Sequence, residues 1–445
     1  MTPNILFITI DSLRSDRCYG KNKSSILPCI ESLIDKGVYF SQNFVSVAQT
    51  MTSLSSIFTS VYPIKSKNIQ SNFNKISTTY FDFLKNNNYY TCCCVPDLYF
   101  LKEMSTTFDD QIVYPYVETT SHIHISDDLG KNILDKLNNF ESSIPWIFYI
   151  HLMDLKDPKV GSSNFDNSKY GKSSYEKNLS IIDVWLGKII NKIDFSNTLV
   201  IVSADHGKYI PVNGKDITDI PTIQKIMSNG KKILPFLTPL GVKCFHIFQK
   251  FAKKTRERKL KSVYTDYEMR SFTNEINSNL YDEILNTPLI ITGCGINSSK
   301  PISEMVRSID IFPTIIELIG LKNNMSTKNG RSLLPLINGA QFDEIPIYLQ
   351  SPIYPTKLND TVGIRTSKFK YFRNREDQSK DIHLFDLQND PQEITNVAHL
   401  NKKIIDKMEF FLNNIYDNFS EMESQEFSDQ ELKKIEDELH KLGYM

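Results

Sequence analysis

A doubly wound, mostly parallel α/β sheet flanked by helices, with a small C-terminal antiparallel sheet plus helix, is the fold class this sequence predicts. Three observations predict it. Short apolar runs recur at Ile5–Ile10, Trp146–His151, Thr198–Ser203 and Pro288–Thr292, each closing on polar residues, as parallel strands covered on both faces do. Helix-like segments lie between the runs, and this alternation is the mark of a layered α/β domain. From about residue 345 the texture changes to short alternating stretches.

Taken in order, Ile5–Ile10 reads as a buried strand, because six apolar-dominated residues are too few for a leader or a membrane span and no basic segment precedes them. Helices are expected at Ile26–Gly37, Thr79–Asn87, Leu129–Phe140 and Tyr175–Ile193, the last with apolar residues at 179, 182, 185, 186, 189 and 190. Strands at Pro346–Leu349, Val362–Arg365, Phe369–Phe372 and His383–Asp386 would form the small sheet, and a charged helical tail follows from Lys402. Two domains are therefore expected: an α/β catalytic domain over 1–344, carrying an insertion at 208–262, and an α+β subdomain over 345–445.

The 445 residues include 51 Lys+Arg against 52 Asp+Glu, for a formal net charge of -1, so no overall basic field supports nucleic-acid binding. Seven cysteines, three of them adjacent at Cys92–Cys94, show no CxxC pair, which argues against a disulfide framework or a zinc finger and for a reducing, cytoplasmic setting. Apolar ILPFLTPLGVKCFHIFQKF running into KKTRERKLK makes 226–260 a candidate for peripheral contact with an anionic membrane; the plainer alternative is a helical lid with a solvated basic face.

In an open α/β sheet, ligands bind beyond the carboxyl ends of the strands. Polar residues fall there after three of the four runs: Asp11 after the first, Asp154 shortly after the second and Asp205-His206 after the third. Asp11 follows the first run and offers an oxygen ligand on a rigid element, or else a turn cap. Asp205-His206-Gly207 follows the third and offers an oxygen and an imidazole, half a metal site, although Asp and Gly are also ordinary turn residues. Hydroxyls crowd Thr50-Met51-Thr52-Ser53-Leu54-Ser55-Ser56 ahead of a helical run, where a hydroxyl beside a metal and a helix N-terminus becomes a nucleophile; the alternative is a set of N-caps.

Jointly these segments resemble the sulfatase family of the alkaline phosphatase superfamily. PNILFITIDSLRSDRCYG, LPCIESLIDKGVYFSQNF, SSIFTSVYP and TLVIVSADHG are similar to its first strand and helix, its post-nucleophile helix and its metal-binding strand. NLYDEILNTPLIITGCGI, VRSIDIFPTIIELIGL, GRSLLPLINGA, IRTSKFKYF and HLFDLQNDPQEITNVA follow in family order. The resemblance implies that Asp11, Thr50, Asp205 and His206 hold one divalent ion, Mn2+ or Zn2+ first and Ca2+ or Mg2+ as the other candidates. It puts Thr50 at the nucleophile position.

Thr50-Met51-Thr52-Ser53-Leu54 departs from the C/S-x-P-x-R pattern that is oxidised to formylglycine, so a threonine nucleophile acting on a phosphoester or phosphonate, by hydrolysis or transfer, is the first expectation. A sulfuric ester hydrolase is the alternative, and an anion- or glycan-binding homologue without turnover is the third. Ser12 stands where relatives often carry a second carboxylate, and Lys156 stands where they carry a leaving-group histidine; a lysine stabilises charge but shuttles protons poorly. Lys208, next to the Asp-His-Gly turn, is a candidate for touching a substrate oxygen. His122 and His124 could replace the missing histidine, although such a pair is more often solvated, and His151 reads as a satisfied core or supporting residue. The expected partner is an anionic small molecule, glycan or lipid headgroup.

Overall fold

A computed structural model describes residues 2–63, 79–116, 124–141, 143–156, 164–210, 260–272, 280–296, 300–322, 329–352 and 360–417. His122, nearly all of the 208–262 insertion, including the 226–260 stretch apart from Leu260, and the tail beyond Asp417 lie outside the described residues. The chain divides into two compact units, Met1–Lys208 with Asn277–Met445, and Tyr209–Ile276. Of the second unit, the structure describes a short helix at Asp266–Met269, capped by the Thr265 side chain. Among the described residues no helix is long and apolar enough to cross a membrane.

The larger unit is built on a mixed, mostly parallel sheet. Its strands are β1 (Asn4–Ile10), β2 (Val38–Phe44), β3 (Tyr90–Pro96), β4 (Asp110–Tyr114), β5 (Trp146–Leu152), β6 (Thr198–Ser203), β7 (Asn286–Gly293), β8 (Pro301–Ile302) and β9 (Val306–Arg307). The order is β4-β3-β5-β1-β6-β7-β2-β8, with β9 also on β2. β1 is central, parallel to β5 on one side and β6 on the other, which is why Ile5, Leu6, Ile8 and Ile10 are all fully buried and the run is continuously apolar. The Pro288–Thr292 run, expected to be parallel, is a correction: β7 pairs antiparallel with both β6 and β2. A run buried on both faces carries no mark of strand direction, so apolarity alone could not assign it.

Helices cover both faces. Pro28 opens the helix Pro28–Lys36, where its missing N–H is no loss, and so trims the expected Ile26 start. The helix Ser174–Ile190 begins at a capping box of Ser173 and Glu176, and its Asp183 accepts the Cys29 and Ile30 N–H groups at 2.9 and 2.8 Å, tying the two helices together. The helix Thr50–Thr59 is buried at every residue. Cys92, Cys93 and Cys94 sit in β3 with no exposure and act as small apolar core residues; burial pushes the Cys92 thiol up to about 12.

The C-terminal sheet runs β10 (Ile347–Gln350), β11 (Thr361–Arg365), β12 (Phe369–Asn374) and β13 (His383–Asp386), all antiparallel. Met408 and Leu412 of the helix Lys402–Asp417 pack on Tyr348, Ile364, Tyr371 and Leu384 of this sheet. Lys370, fully buried, pairs with Asp282 and with Glu393 at 2.6 Å, and Arg365 donates to Asp282 Oδ2 at 2.8 Å. The pairs to Asp282 bind the small sheet to the short helix Asp282–Leu285 that precedes β7.

Candidate active site

Register alone brings the chemistry together. Thr9 of β1 lies opposite His151 of β5 and Ser203 of β6, so Asp11, His151 and Asp205 emerge side by side at the carboxyl ends of three neighbouring strands. One ligand atom of each of these three residues lies within 4.8 Å of the others, and all three are fully buried. The buried helix Thr50–Thr59 aims its first residue into the group. Thr50 Oγ1 donates to Asp11 Oδ2 at 3.0 Å and lies 3.3 Å from His206 Nε2, which in turn is 3.4 Å from Asp205 Oδ2. The helix is fixed there because Ser53 Oγ donates to the Asp205 carbonyl at 2.5 Å.

The structure therefore gathers Asp11, Thr50, Asp205 and His206, and adds His151. Read from sequence as a satisfied core or supporting residue, His151 has no hydrogen-bond partner at Nε2 among the described residues, and that atom lies 3.9 Å from Asp11 Oδ2. Its Nδ1 is 3.0 Å from the Tyr149 hydroxyl and its carbonyl accepts from the Tyr114 hydroxyl at 2.7 Å, contacts that set the ring plane. The sequence signal was present, a histidine closing an apolar run, but its meaning required knowing that β5 lies beside β1.

Ser12, the missing carboxylate of the sequence reading, has a structural task. It adopts a left-handed backbone with φ of 65°, its Oγ donates to Asp11 Oδ1 at 2.5 Å, and its N–H donates to Asp205 Oδ1 at 3.2 Å. Gly207 lets the chain turn against its neighbour: its N–H donates to the Ile284 carbonyl at 2.9 Å, and a Cβ there would strike the Glu283 carbonyl.

Charge is unevenly held. Burial alone would raise the Asp11 carboxyl, but Lys156, with His151 and His206, draws it well below the ordinary carboxylate range. Burial, together with the neighbouring Asp11 charge, raises the Asp205 carboxyl. Burial lowers His206 to about 4, so its imidazole is neutral at pH 7. Lys156 and Lys208 are brought to the same mouth: the Lys208 ammonium donates to the Lys156 carbonyl, and the Lys156 charge acts on Asp11, Asp205 and His206.

Two buried carboxylates beside two imidazoles, with Asp205 Oδ2 and His151 Nε2 lacking hydrogen-bond partners among the described residues, are a donor set that fits a divalent cation. A mostly parallel sheet collects this set at the ends of its central strands, and the family match places the chain in the alkaline phosphatase-like superfamily. Within it, the chain belongs to the sulfatase family: the Sulfatase profile matches residues 3–321, and the C-terminal profile of N-sulphoglucosamine sulphohydrolase matches 277–418. Arylsulfatase K of Gallus gallus is 34% identical over 128 residues, 27% of this chain and 23% of that protein. Arylsulfatase K of Rattus norvegicus is 24% identical over 276 residues, 59% of this chain and 47% of that protein, so the match spans at most about half the length of these relatives. Among solved structures, a protein in complex with its substrate D-glucosamine-2-N,6-O-disulfate has a TM-score of 0.65 at 14% identity, covering 94% of this chain and 98% of that one. The phosphonate monoester hydrolase of Agrobacterium radiobacter has a TM-score of 0.64 at 14% identity, covering 94% and 95%. At such identities the likeness is one of fold.

Proposed function

We propose that this chain cleaves a sulfuric ester carried on an anionic glycan or a similar small molecule, with Thr50 Oγ1 as the attacking atom. The observation that carries the reading is the position of that oxygen, on the first residue of a buried helix, 3.0 Å from Asp11 Oδ2 and 3.3 Å from His206 Nε2. Family membership and the arylsulfatase relatives favour sulfur as the centre attacked.

Asp11, Asp205, His151 and His206, with Thr50 beside them, would hold one divalent ion, Mn2+ or Zn2+ by donor type, and the ion would supply Lewis-acid stabilisation of the ester's oxyanion. Ser12 keeps the two carboxylates in place through its Oγ and N–H. Thr50 Oγ1 already donates to Asp11 Oδ2, so that carboxylate oxygen is the acceptor within reach of its proton, and the His206 Nε2 lone pair is left for the ion. Lys156 and Lys208 draw the anionic ester to the mouth and offset the charge that builds on its oxygens. In this reading residues 1–344 carry the chemistry, 345–445 brace it, and the free cysteines among the described residues support a cytoplasmic place of action.

A second reading, cleavage of a phosphoester or phosphonate by hydrolysis or transfer, is favoured by one observation. Thr50 carries a methyl group at Cβ, so oxidation would yield a ketone and never the aldehyde of formylglycine, which leaves a plain alkoxide nucleophile of the kind that forms phosphoenzymes. Metal analysis of the purified protein, paired with assays on an aryl sulfate, an aryl phosphate, a phosphodiester and an aryl phosphonate, tests both. Fastest turnover on the sulfate is expected; turnover confined to phosphorus esters would establish the second reading. Bound metal with no turnover on any ester would overturn both and leave an anion-binding protein.

A further inference from the structure

We infer that Tyr175 is a positioning residue of the cation site, its phenol hydroxyl clamping the turn through which Ser12 sets the two carboxylates. The inference rests on the reading that Asp11 and Asp205 share a divalent ion. It assigns a part in that site to the helix Ser174–Ile190, which carries none of the ligands.

The chain leaves β1 by a turn that an L-residue resists. Ser12 stands in the left-handed region at φ 65°, and the Leu13 N–H reaches the Ile10 carbonyl at 3.3 Å, a long bond with which to hold such a conformation. Backbone of this kind persists where its surroundings over-determine it. Tyr175 supplies that constraint. Its hydroxyl donates to the Ser12 carbonyl at 2.9 Å and accepts the Arg14 N–H at 3.0 Å, so one oxygen grips the backbone on both sides of Leu13.

The clamp is fixed and dry. Tyr175 is buried in the first turn of its helix, which opens on the capping box of Ser173 and Glu176, and Glu176 Oε1 also pairs with Arg17 at 3.2 Å. Burial holds the phenol far above its ordinary titration range, so the oxygen keeps its proton and stays a donor at neutral pH. Without that oxygen the buried Ser12 carbonyl and Arg14 N–H would both lose this partner, which favours a different backbone at Ser12.

From the clamp, hydrogen bonds run to the reacting atoms. Ser12 Oγ donates to Asp11 Oδ1 at 2.5 Å and its N–H to Asp205 Oδ1 at 3.2 Å, so Ser12 takes one oxygen of each carboxylate. The other oxygens face the chemistry: Asp11 Oδ2 accepts from Thr50 Oγ1 at 3.0 Å, and Asp205 Oδ2 lies 3.4 Å from His206 Nε2. Tyr175 therefore acts through the backbone that carries Ser12, as the supporting partners of metal ligands do.

The test reads Zn2+ affinity in the full-length protein by competition with a chelator of known affinity. Tyr175→Phe keeps the ring and removes the oxygen, and affinity is expected to fall about 10-fold or more, the usual effect of losing a supporting hydrogen bond. Asp183→Asn controls for plain loss of stability, because it weakens the tie of the same helix to Cys29 and Ile30 without touching the turn. Its affinity is expected to stay within about 2-fold of wild type, as for an independent site, although its melting temperature falls. Unchanged affinity in Tyr175→Phe, or an equal fall in Asp183→Asn, overturns the inference. Amide exchange in the metal-free wild type decides the case even where a variant does not fold: the Arg14 N–H is expected to be protected, and exchange at the rate of an open loop overturns the clamp. If the wild-type protein binds neither Zn2+ nor Mn2+, the cation reading itself has failed and the inference falls with it.

Discussion

The backbone N–H of Ser12 donates to Asp205 Oδ1 at 3.2 Å, so the turn that leaves β1 is bonded to the carboxylate that follows β6. Ser12 Oγ grips Asp11 at the same time, which makes this residue the clasp between two proposed ligands. Ser12→Gly suits the left-handed backbone at φ 65° and keeps the N–H bond, but drops the hydroxyl. Metal affinity should fall by about 10-fold or more, as is usual when a ligand loses its supporting hydrogen bond, with the melting temperature nearly unchanged. Competition with a chelator of known affinity checks this; undiminished affinity would show that the hydroxyl does not support the site.

Thr50→Ala removes the oxygen that Asp11 and His206 share. Turnover should drop by about a thousandfold or more, while metal content is retained; Thr50→Ser should recover most of the rate because it restores the oxygen. Steady-state kinetics on whichever ester the wild type cleaves fastest distinguishes the variants. An alanine variant of wild-type speed would require the attacking oxygen to come from elsewhere.

His151→Ala bears on the residue that the sequence reading left outside the metal set. With its unpartnered Nε2 gone, the bound ion should fall from near stoichiometric to a small fraction after dialysis, as measured by elemental analysis. Full retention would restrict the ligands to Asp11, Thr50, Asp205 and His206.

Asp282→Asn probes the brace rather than the site. Arg365 and Lys370 hold the Asp282 carboxyl far below its ordinary range, against the opposing pull of burial. A depressed carboxylate contributes stability that is present above its unfolded pKa of about 4 and is lost as pH falls through the folded value. The variant should therefore be less stable at pH 7 by about 3 kcal/mol, the usual cost of breaking a buried pair. That difference should shrink as pH drops below 4. Urea unfolding at pH 7 and pH 3 measures it, and a deficit independent of pH would assign the loss to packing instead of charge.

Much of the fold was legible because burial leaves a mark. β1, β5 and β6 are apolar end to end since sheet neighbours and helices cover them completely. β2 escaped notice because Ser41 and Gln42 are half-exposed and a bulge between Phe40 and Asn43 breaks its alternation. β3 escaped because Cys92–Cys94 reads as chemistry before it reads as packing, although all three side chains are interior. In the site, Asp11 and the Asp205-His206 pair were visible as polar residues ending apolar runs. The part played by His151 depends on strand order, which no local pattern carries, and that of Ser12 depends on a backbone conformation reached only once β1 and β6 lie side by side.

The central pairing of β1 with β6 has a consequence for biosynthesis. Ser12 and Asp205 are 193 residues apart, so the clasp between them, and any cation cage it supports, stays incomplete until the chain through Asp205 has left the ribosome. The segment carrying β1 must wait, with an apolar central strand made early and its partner β6 made late, which marks the period before β6 appears as the one in which chaperones have most to protect.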